Sequence, residues 1–92
     1  MKITCSKSKL LEGVQIVSRA VPNKTTLDIM QYIMVEADDN FVKMTANDTD
    51  MGIETIIEAN VEEPGKVALE ARIFLDIVRK LPDNDVLIQT DE

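Results

Sequence analysis

The sequence predicts an α+β domain with mostly antiparallel strands and two helices. Three observations support this class: two segments have apolar residues at helical spacing, the segments between them alternate with a period of two, and 45% of the 92 residues are apolar. The predicted order of elements is β-α-β-β-β-β-α-β. A chain of this length is expected to form one domain, and no linker or internal repeat divides residues 1–92.

The first strand and the first helix adjoin each other near the start of the chain. Lys2–Cys5 alternates polar and apolar residues, which predicts a short strand. Ser6 is a suitable helix N-cap, and Pro22 ends the helix because the residue before proline disfavours helical backbone angles. The apolar residues of the segment follow i, i+4, i+7, i+11 spacing, and they are Leu10, Val14, Val17 and Val21.

Period-two alternation dominates the middle of the chain. The predicted strands are Thr26–Ala37, Phe41–Thr45, Ile53–Val61 and Lys66–Glu70. Both faces of Thr26–Ala37 are apolar, so both are expected to be largely buried, whereas Ile53–Val61 has one polar face. Asp, Asn, Pro and Gly residues mark the turns between the strands.

The second predicted helix, Ala71–Leu81, has the clearest periodicity in the sequence. Its apolar stripe consists of Phe74, Ile77, Val78 and Leu81. The opposite side gathers Arg72, Asp76, Arg79 and Lys80. Pro82 ends the helix, and Val86–Thr90 is a further strand. The sequence then stops at Glu92 without a turn or a cap, which we interpret as a truncation.

Composition argues against most kinds of catalytic or metal site, and we expect no cofactor. Histidine is absent, so the commonest general base and metal ligand are missing. The single cysteine, Cys5, lies in an alternating strand and is expected to be a small buried apolar residue. An EF-hand that begins at Asp48 would place Gly52 at position 5 and Ala59 at position 12, and this fails the pattern. The acidic pairs lie in predicted turns, where water screens them; they are Asp38/Asp39 and Glu62/Glu63.

Charge is unevenly distributed along the chain. The overall net charge of −7 suggests at first that nucleic acid is not a partner. The two helical segments, 6–24 and 71–81, nevertheless hold seven basic and two acidic residues, whereas the rest holds three basic and fifteen acidic residues. Basic helix surfaces are common in soluble proteins, so charge alone leaves two interpretations open. Either the helices are ordinary solvated surfaces, or they form a phosphate-attracting face on an acidic body.

Three separated segments resemble the first domain of the bacterial sliding clamp, the β subunit of DNA polymerase III holoenzyme. They are Ala20-Val21-Pro22-Asn23-Lys24-Thr25-Thr26-Leu27, Thr45-Ala46-Asn47-Asp48-Thr49-Asp50-Met51, and the run from Ala71 to Pro82. The resemblance runs in register from Met1 to Glu92. Asp28 departs from it, since the family usually has proline there, and Ile73 stands where some relatives have a basic residue.

The resemblance implies the DNA-clamp fold, with antiparallel sheets and two helices on one side, here lacking its last strands. It also implies a bacterial, cytoplasmic replication processivity factor with three domains of like fold, which pairs into a homodimeric ring around duplex DNA. The polymerase III core and the clamp loader would bind parts of the parent protein absent from residues 1–92. By position, Lys24 and Arg72 match the family's DNA-contacting residues best, and the supporting candidates are Arg79, Lys80, Lys9 and Arg19.

Two other interpretations belong to different classes. The chain could be an acidic protein-interaction module whose exposed sheet edge pairs with a partner strand. The chain could also be classed as a polymerase, an enzyme, because the clamp is a subunit of the polymerase III holoenzyme. The sequence, however, offers no carboxylate pair placed for two-metal chemistry, so we expect a non-catalytic subunit.

Overall fold

Alternating apolar residues build two antiparallel sheets in the computed structural model, which describes residues 1–21, 31–47 and 52–90. A three-stranded sheet has the order β5-β1-β7, and a four-stranded sheet has the order β4-β3-β2-β6. The elements are β1 (Lys2–Ser6), α1 (Lys7–Ser18), β2 (Tyr32–Asp38), β3 (Phe41–Asn47), β4 (Gly52–Glu58), β5 (Asn60–Glu63), β6 (Gly65–Glu70), α2 (Ala71–Lys80) and β7 (Asp85–Gln89). This confirms the predicted α+β class.

One predicted strand is in fact two strands in different sheets. The period-two segment Ile53–Val61 forms β4 and β5, and Ala59 lies between them. The Ala59 N–H donates to the carbonyl oxygen of Asn40 at 3.0 Å, and this bond anchors the crossing to the β2–β3 turn. Ala59 and Val61 both pack against the core, so the alternation continues across the break. Alternation reports which side chains face inward, but it does not report which sheet the backbone joins.

The core lies between the sheets and the helices. β2 and β3 contribute completely buried side chains, and α1 adds three more from its inward face. They form one cluster with residues of β1 and α2. Its largest members are Ile3, Leu10, Ile33, Met44, Val14, Val17, Val35, Val42 and Val78. Because α1 contacts β1, β3 and β4 while α2 contacts β6 and α1, the two helices occupy one side of the molecule.

The outer face of β2 is more exposed than the sequence predicts. Ile33 and Val35 are buried as expected, but Tyr32 is 38% exposed and Met34 is only partly buried. The described helices and strands pack on the inward face of the four-stranded sheet, which leaves the other face open. The part of the predicted strand that falls in residues 22–30 lies outside the described residues.

The buried stripe of α2 is rotated from the predicted one. Ile77 was expected to be buried and is 54% exposed, whereas Ala71 is buried and Leu75 is half-buried. Val78 is buried and Phe74 packs against the core, as predicted, whereas Leu81 is partly buried and is the C-cap of the helix. α2 packs against α1 as well as β6, and contact with α1 draws the Ala71 and Leu75 side of the helix inward.

α1 begins where the sequence predicts, but it ends at Ser18, before the end predicted from Pro22. The Ser6 hydroxyl accepts a hydrogen bond from the backbone N–H of Lys9 at 3.3 Å, which confirms the predicted N-cap. At the other end the backbone N–H groups of Ala20 and Val21 donate to the carbonyl oxygens three residues earlier, which tightens the last turn.

Neither helix found in the described ranges is long and apolar enough to cross a membrane.

Candidate nucleic-acid interface

The two helices lie side by side and run in opposite directions. At the start of α1, the Lys7 ammonium donates to the carbonyl oxygen of Arg79 in the last turn of α2, at 3.3 Å. At the other end of the pair, a pocket of about 160 Å³ is lined by residues from the end of α1 and the start of α2, namely Ser18, Val21, Ala71, Arg72 and Leu75. The pair therefore presents a continuous surface made of two antiparallel helix faces.

The exposed side of α2 holds three of the predicted basic residues. Arg72, Arg79 and Lys80 are all exposed, on the side away from the buried Val78. Arg72 lies in the first turn, where its backbone N–H donates to Glu70 Oε1 at 3.2 Å. Arg79 and Lys80 lie in the last turn, where positive charge also stabilises the helix through its dipole. Arg79 and Lys80 thus stabilise the helix in addition to any role in binding.

Arg19 lies at the same end of the helix pair as Arg72. It is the exposed C-cap of α1, immediately after Ser18, and the end of α1 packs beside the start of α2. The fold therefore brings Arg19 and Arg72 to one end of the helical surface. Lys24, the other principal candidate, lies outside the described residues.

Lys9 occupies the opposite flank of α1, away from α2. Its ammonium forms an ion pair with Glu58 Oε2 of β4 at 3.5 Å, and its side chain is 54% exposed. A surface pair of this kind contributes at most about 1 kcal/mol and is easily exchanged for another partner. The structure does not bring Lys9 together with the basic residues of α2, so it is the weakest of the predicted candidates.

Lys7 is a candidate that sequence reasoning missed. Its charge counts toward the basic first helix, but its position toward α2 depends on how the two helices pack. A helical projection of 7–18 places Lys7 on the same side as Ser18, which lines the pocket between α1 and α2. That projection is the signal that could have identified it.

Acidic residues concentrate on the strands, and two strand lysines are paired there. Lys2 contacts Glu62 Oε2 at 3.3 Å, and Lys43 contacts Glu36 Oε1 at 3.3 Å. These pairs cancel positive charge on the sheets, where exposed Glu54 and Glu63 add negative charge. The result is a molecule with basic helices on one side and acidic sheets elsewhere.

The surroundings of Cys5 do not favour a reactive thiol. Cys5 is 5% exposed, and burial, together with the nearby Asp85 carboxylate, raises the pKa of its thiol above the ordinary value of 9.0. A thiol of this kind is a poor nucleophile near neutral pH. Within 1–21, 31–47 and 52–90, no three His, Cys, Asp or Glu residues are placed to hold a metal ion. Asp48 and Asp50 lie outside those ranges.

Comparison with known proteins agrees with the fold. The model of the family described as "DNA polymerase III beta subunit, N-terminal domain" matches residues 1–92. The chain belongs to this family. The match spans all the described elements and also the segments that the structure leaves undescribed.

Relatives of the beta subunit family resemble the chain in sequence and in structure. The beta sliding clamp of Bacillus subtilis is 39% identical over 97 residues, which cover 97% of this chain and 26% of that protein. A structure from Eubacterium rectale, provisionally described as a DNA polymerase III beta subunit, is 57% identical with a TM-score of 0.94, covering 99% of this chain and 25% of its own. The Helicobacter pylori beta clamp bound to a DNA ligase peptide is 25% identical with a TM-score of 0.94, covering 100% of this chain and 26% of its own.

These comparisons confirm the predicted clamp fold. The chain spans about a quarter of the length of the curated beta sliding clamps of Synechocystis and Bacillus subtilis. Because the matching family model is that of the N-terminal domain, the described sheets and helices correspond to that domain.

Proposed function

We propose that this chain acts as the N-terminal domain of a sliding clamp, a ring that encircles duplex DNA and keeps the replicative polymerase attached. The observation that carries the proposal is the antiparallel helix pair, whose exposed surface holds Arg19, Arg72, Arg79 and Lys80 beside acidic sheets. Long basic side chains attract phosphates without reading bases, which suits a protein that must slide. The acidic sheets would discourage DNA from lying across the outside.

The larger assembly is part of the same proposal. Further domains of like fold would follow residue 92, and two copies would close head-to-tail into a ring. The polymerase III core and the clamp loader would bind the later domains, and the peptide-bound Helicobacter pylori clamp supports a partner-binding role. The chain itself would be non-catalytic and would work in the cytoplasm. No specific observation favours the alternative of an edge-strand interaction module.

Salt dependence of duplex binding tests the proposal in the full-length protein. Each phosphate contact contributes about −0.9 to the slope of log K against log[salt]. We expect the double variant Lys24→Ala/Arg72→Ala to reduce the magnitude of that slope by about 1 to 2. It should weaken binding to the same extent for duplexes of any base sequence. The matched control is Lys2→Ala with Lys66→Ala, which removes the same charge from the strands.

Two results would contradict this assignment. One is a slope that the Lys24/Arg72 double variant leaves unchanged. The other is an equal change in the strand-lysine control, which would show that only net charge matters. Thermal unfolding of each variant verifies that the comparison is between folded proteins.

A further inference from the structure

Two large apolar side chains stand exposed on the outward face of the four-stranded sheet. Phe41 at the start of β3 is 51% exposed, and Ile56 on β4 is 58% exposed. The register pairs Phe41 with Glu58 and Lys43 with Ile56, so Phe41 and Ile56 are diagonal neighbours on adjacent strands. Diagonal neighbours in an antiparallel pair are close enough for long and aromatic side chains to act together.

These side chains border a concavity of about 300 Å³. Its lining is completed by three carboxylates and one lysine, and we call the whole set the Phe41–Ile56 surface: Glu36, Asp38, Asp39, Phe41, Lys43 and Ile56. The volume suits one or two apolar side chains of a partner better than a whole folded element. None of these residues belongs to the helical surface proposed to face DNA.

The charge of the Phe41–Ile56 surface is negative at one end. Lys43 is neutralised by Glu36, since their charged groups lie 3.3 Å apart. Asp38 and Asp39, at the β2–β3 turn, therefore dominate the local charge. A phosphate-bearing ligand would be repelled there, whereas a Lys or Arg next to an apolar side chain would be attracted.

The two aspartates are held by a tight turn. Asp38 pairs with Phe41 across the hairpin, which leaves a loop of only Asp39 and Asn40. The Asp39 N–H donates to Asp38 Oδ1 at 2.9 Å, and Asp39 adopts a φ of 50°, in the left-handed region that Asp tolerates. A short hairpin loses little freedom when a ligand binds, so the carboxylates are already positioned.

We propose that the Phe41–Ile56 surface binds an extended segment of a partner protein. That segment would place a large apolar side chain between Phe41 and Ile56 and a Lys or Arg toward Asp38 and Asp39. Exposed paired apolar residues on a mostly polar sheet face provide the anchor, and the adjacent carboxylates select a basic flank. The proposal goes beyond the DNA-encircling role and does not depend on it.

A synthetic peptide provides the first test. The probe is a fluorescein-labelled octapeptide in which Phe and Leu alternate with Lys and Arg, titrated with the full-length protein and followed by anisotropy. Two comparison peptides replace the cationic residues with Glu or the apolar residues with Ser. We expect binding of the first peptide only, because both the apolar anchor and the basic flank are required.

Variants locate the binding to the Phe41–Ile56 surface. Phe41→Ser is expected to weaken peptide binding about tenfold. Ile73→Ser is the matched control, because Ile73 on α2 is also a large apolar side chain and is 60% exposed. Asp38→Asn with Asp39→Asn should also weaken binding, while Glu62→Gln with Glu63→Gln removes equal charge from β5 and should not.

The proposal is overturned if Phe41→Ser and Ile73→Ser weaken binding equally, or if the two acidic double variants do. Either result would mean general attraction of a basic peptide to an acidic protein. Ile56→Ser provides a second apolar variant if Phe41→Ser fails to fold. Because Phe41→Ser should keep the wild-type salt slope for DNA, failure here is distinguishable from failure of the proposed clamp function.

Discussion

Gly65, the first residue of β6, is required for steric reasons rather than for its backbone conformation. A Cβ built there would lie 2.8 Å from Met1 Cβ and 3.2 Å from Met1 Cα and N. Met1 in turn is fixed by Thr90, since the Thr90 N–H donates to the Met1 carbonyl at 2.9 Å. Met1 backbone atoms therefore cannot move aside without disturbing the neighbouring Thr90 contact.

Gly65→Ala is therefore expected to destabilise the fold by about 1–3 kcal/mol, as overpacking does. Urea denaturation measures the change, and Lys66→Ala on the exposed side of the same strand is the control, expected within about 0.5 kcal/mol of wild type. A glycine-to-alanine change in open space usually stabilises by reducing freedom in the unfolded chain. A more stable Gly65→Ala variant would therefore contradict the steric account.

Cys5 offers a second prediction at the residue scale, which concerns pH. Burial and the Asp85 charge raise the pKa of its thiol in the folded state above the ordinary 9.0, whereas the unfolded thiol titrates near that value. Unfolding therefore releases a proton above about pH 9, so this group adds stability below that pH and loses it as pH rises. Unfolding measured from pH 8 to pH 10.5 should show a shallower alkaline decline for Cys5→Ala than for wild type. Equal declines would show that the folded and unfolded thiols titrate alike.

At the scale of elements, the two helices begin with different caps. α1 uses Ser6, a typical N-cap residue, whereas α2 uses Glu70, whose carboxylate accepts from the N–H groups of Arg72 at 3.2 Å and Ile73 at 2.8 Å. The anionic cap also interacts favourably with the positive end of the helix dipole. Glu70 thereby fixes where the basic side of α2 begins.

We expect Glu70→Gln to cost about 0.3–1 kcal/mol, because the amide keeps an acceptor and loses the charge. Glu70→Ala removes both and should cost about 0.5–2 kcal/mol. Thermal unfolding at low and high salt separates the two contributions, since salt screens the charge and leaves the hydrogen bonds. Equal losses for both variants at every salt concentration would argue against the dipole contribution.

The sequence predicts which segments form helices and strands better than it predicts which segments pack against each other. The Ser6 cap and the burial of Ile33 and Val35 on β2 follow from local spacing alone, and the structure confirms them. The Ile77 exposure, the sheet change at Ala59 and the orientation of Lys7 depend on packing between distant segments, which periodicity does not encode. For the candidate site, sequence found the basic side of α2 but not the separation of Lys9 from it.

At the scale of the whole molecule, basic and acidic residues lie on different sides. The net charge of −7 conceals basic helices and acidic strands, and the fold places the two helices next to each other. Under the proposed clamp function, the acidic strands would disfavour DNA on the sheet side of the molecule. This division is a property of the folded chain, because the charges alternate along the sequence and segregate only when the helices pack.

Adding positive charge to the strands should allow DNA to bind the sheet side of the molecule as well. Glu54→Lys with Glu63→Lys changes two exposed strand residues and is expected to increase binding to short linear duplexes, with a slope steeper by up to about 2. Filter binding across a salt series measures the change. The control, Glu54→Gln with Glu63→Gln, should give a smaller increase. Binding unaffected by either variant would mean that the strand surface does not limit access of DNA.

The single residue between β4 and β5 has a consequence for how the fold opens. Ala59 joins the two sheets, and its amide bonds to Asn40 rather than to a neighbouring strand. Hydrogen exchange at this amide requires the crossing to separate from the β2–β3 turn, which strains both sheets together. Its protection factor should therefore approach that of global unfolding, so Ala59 is a built-in reporter of whether the two sheets unfold as one cooperative unit.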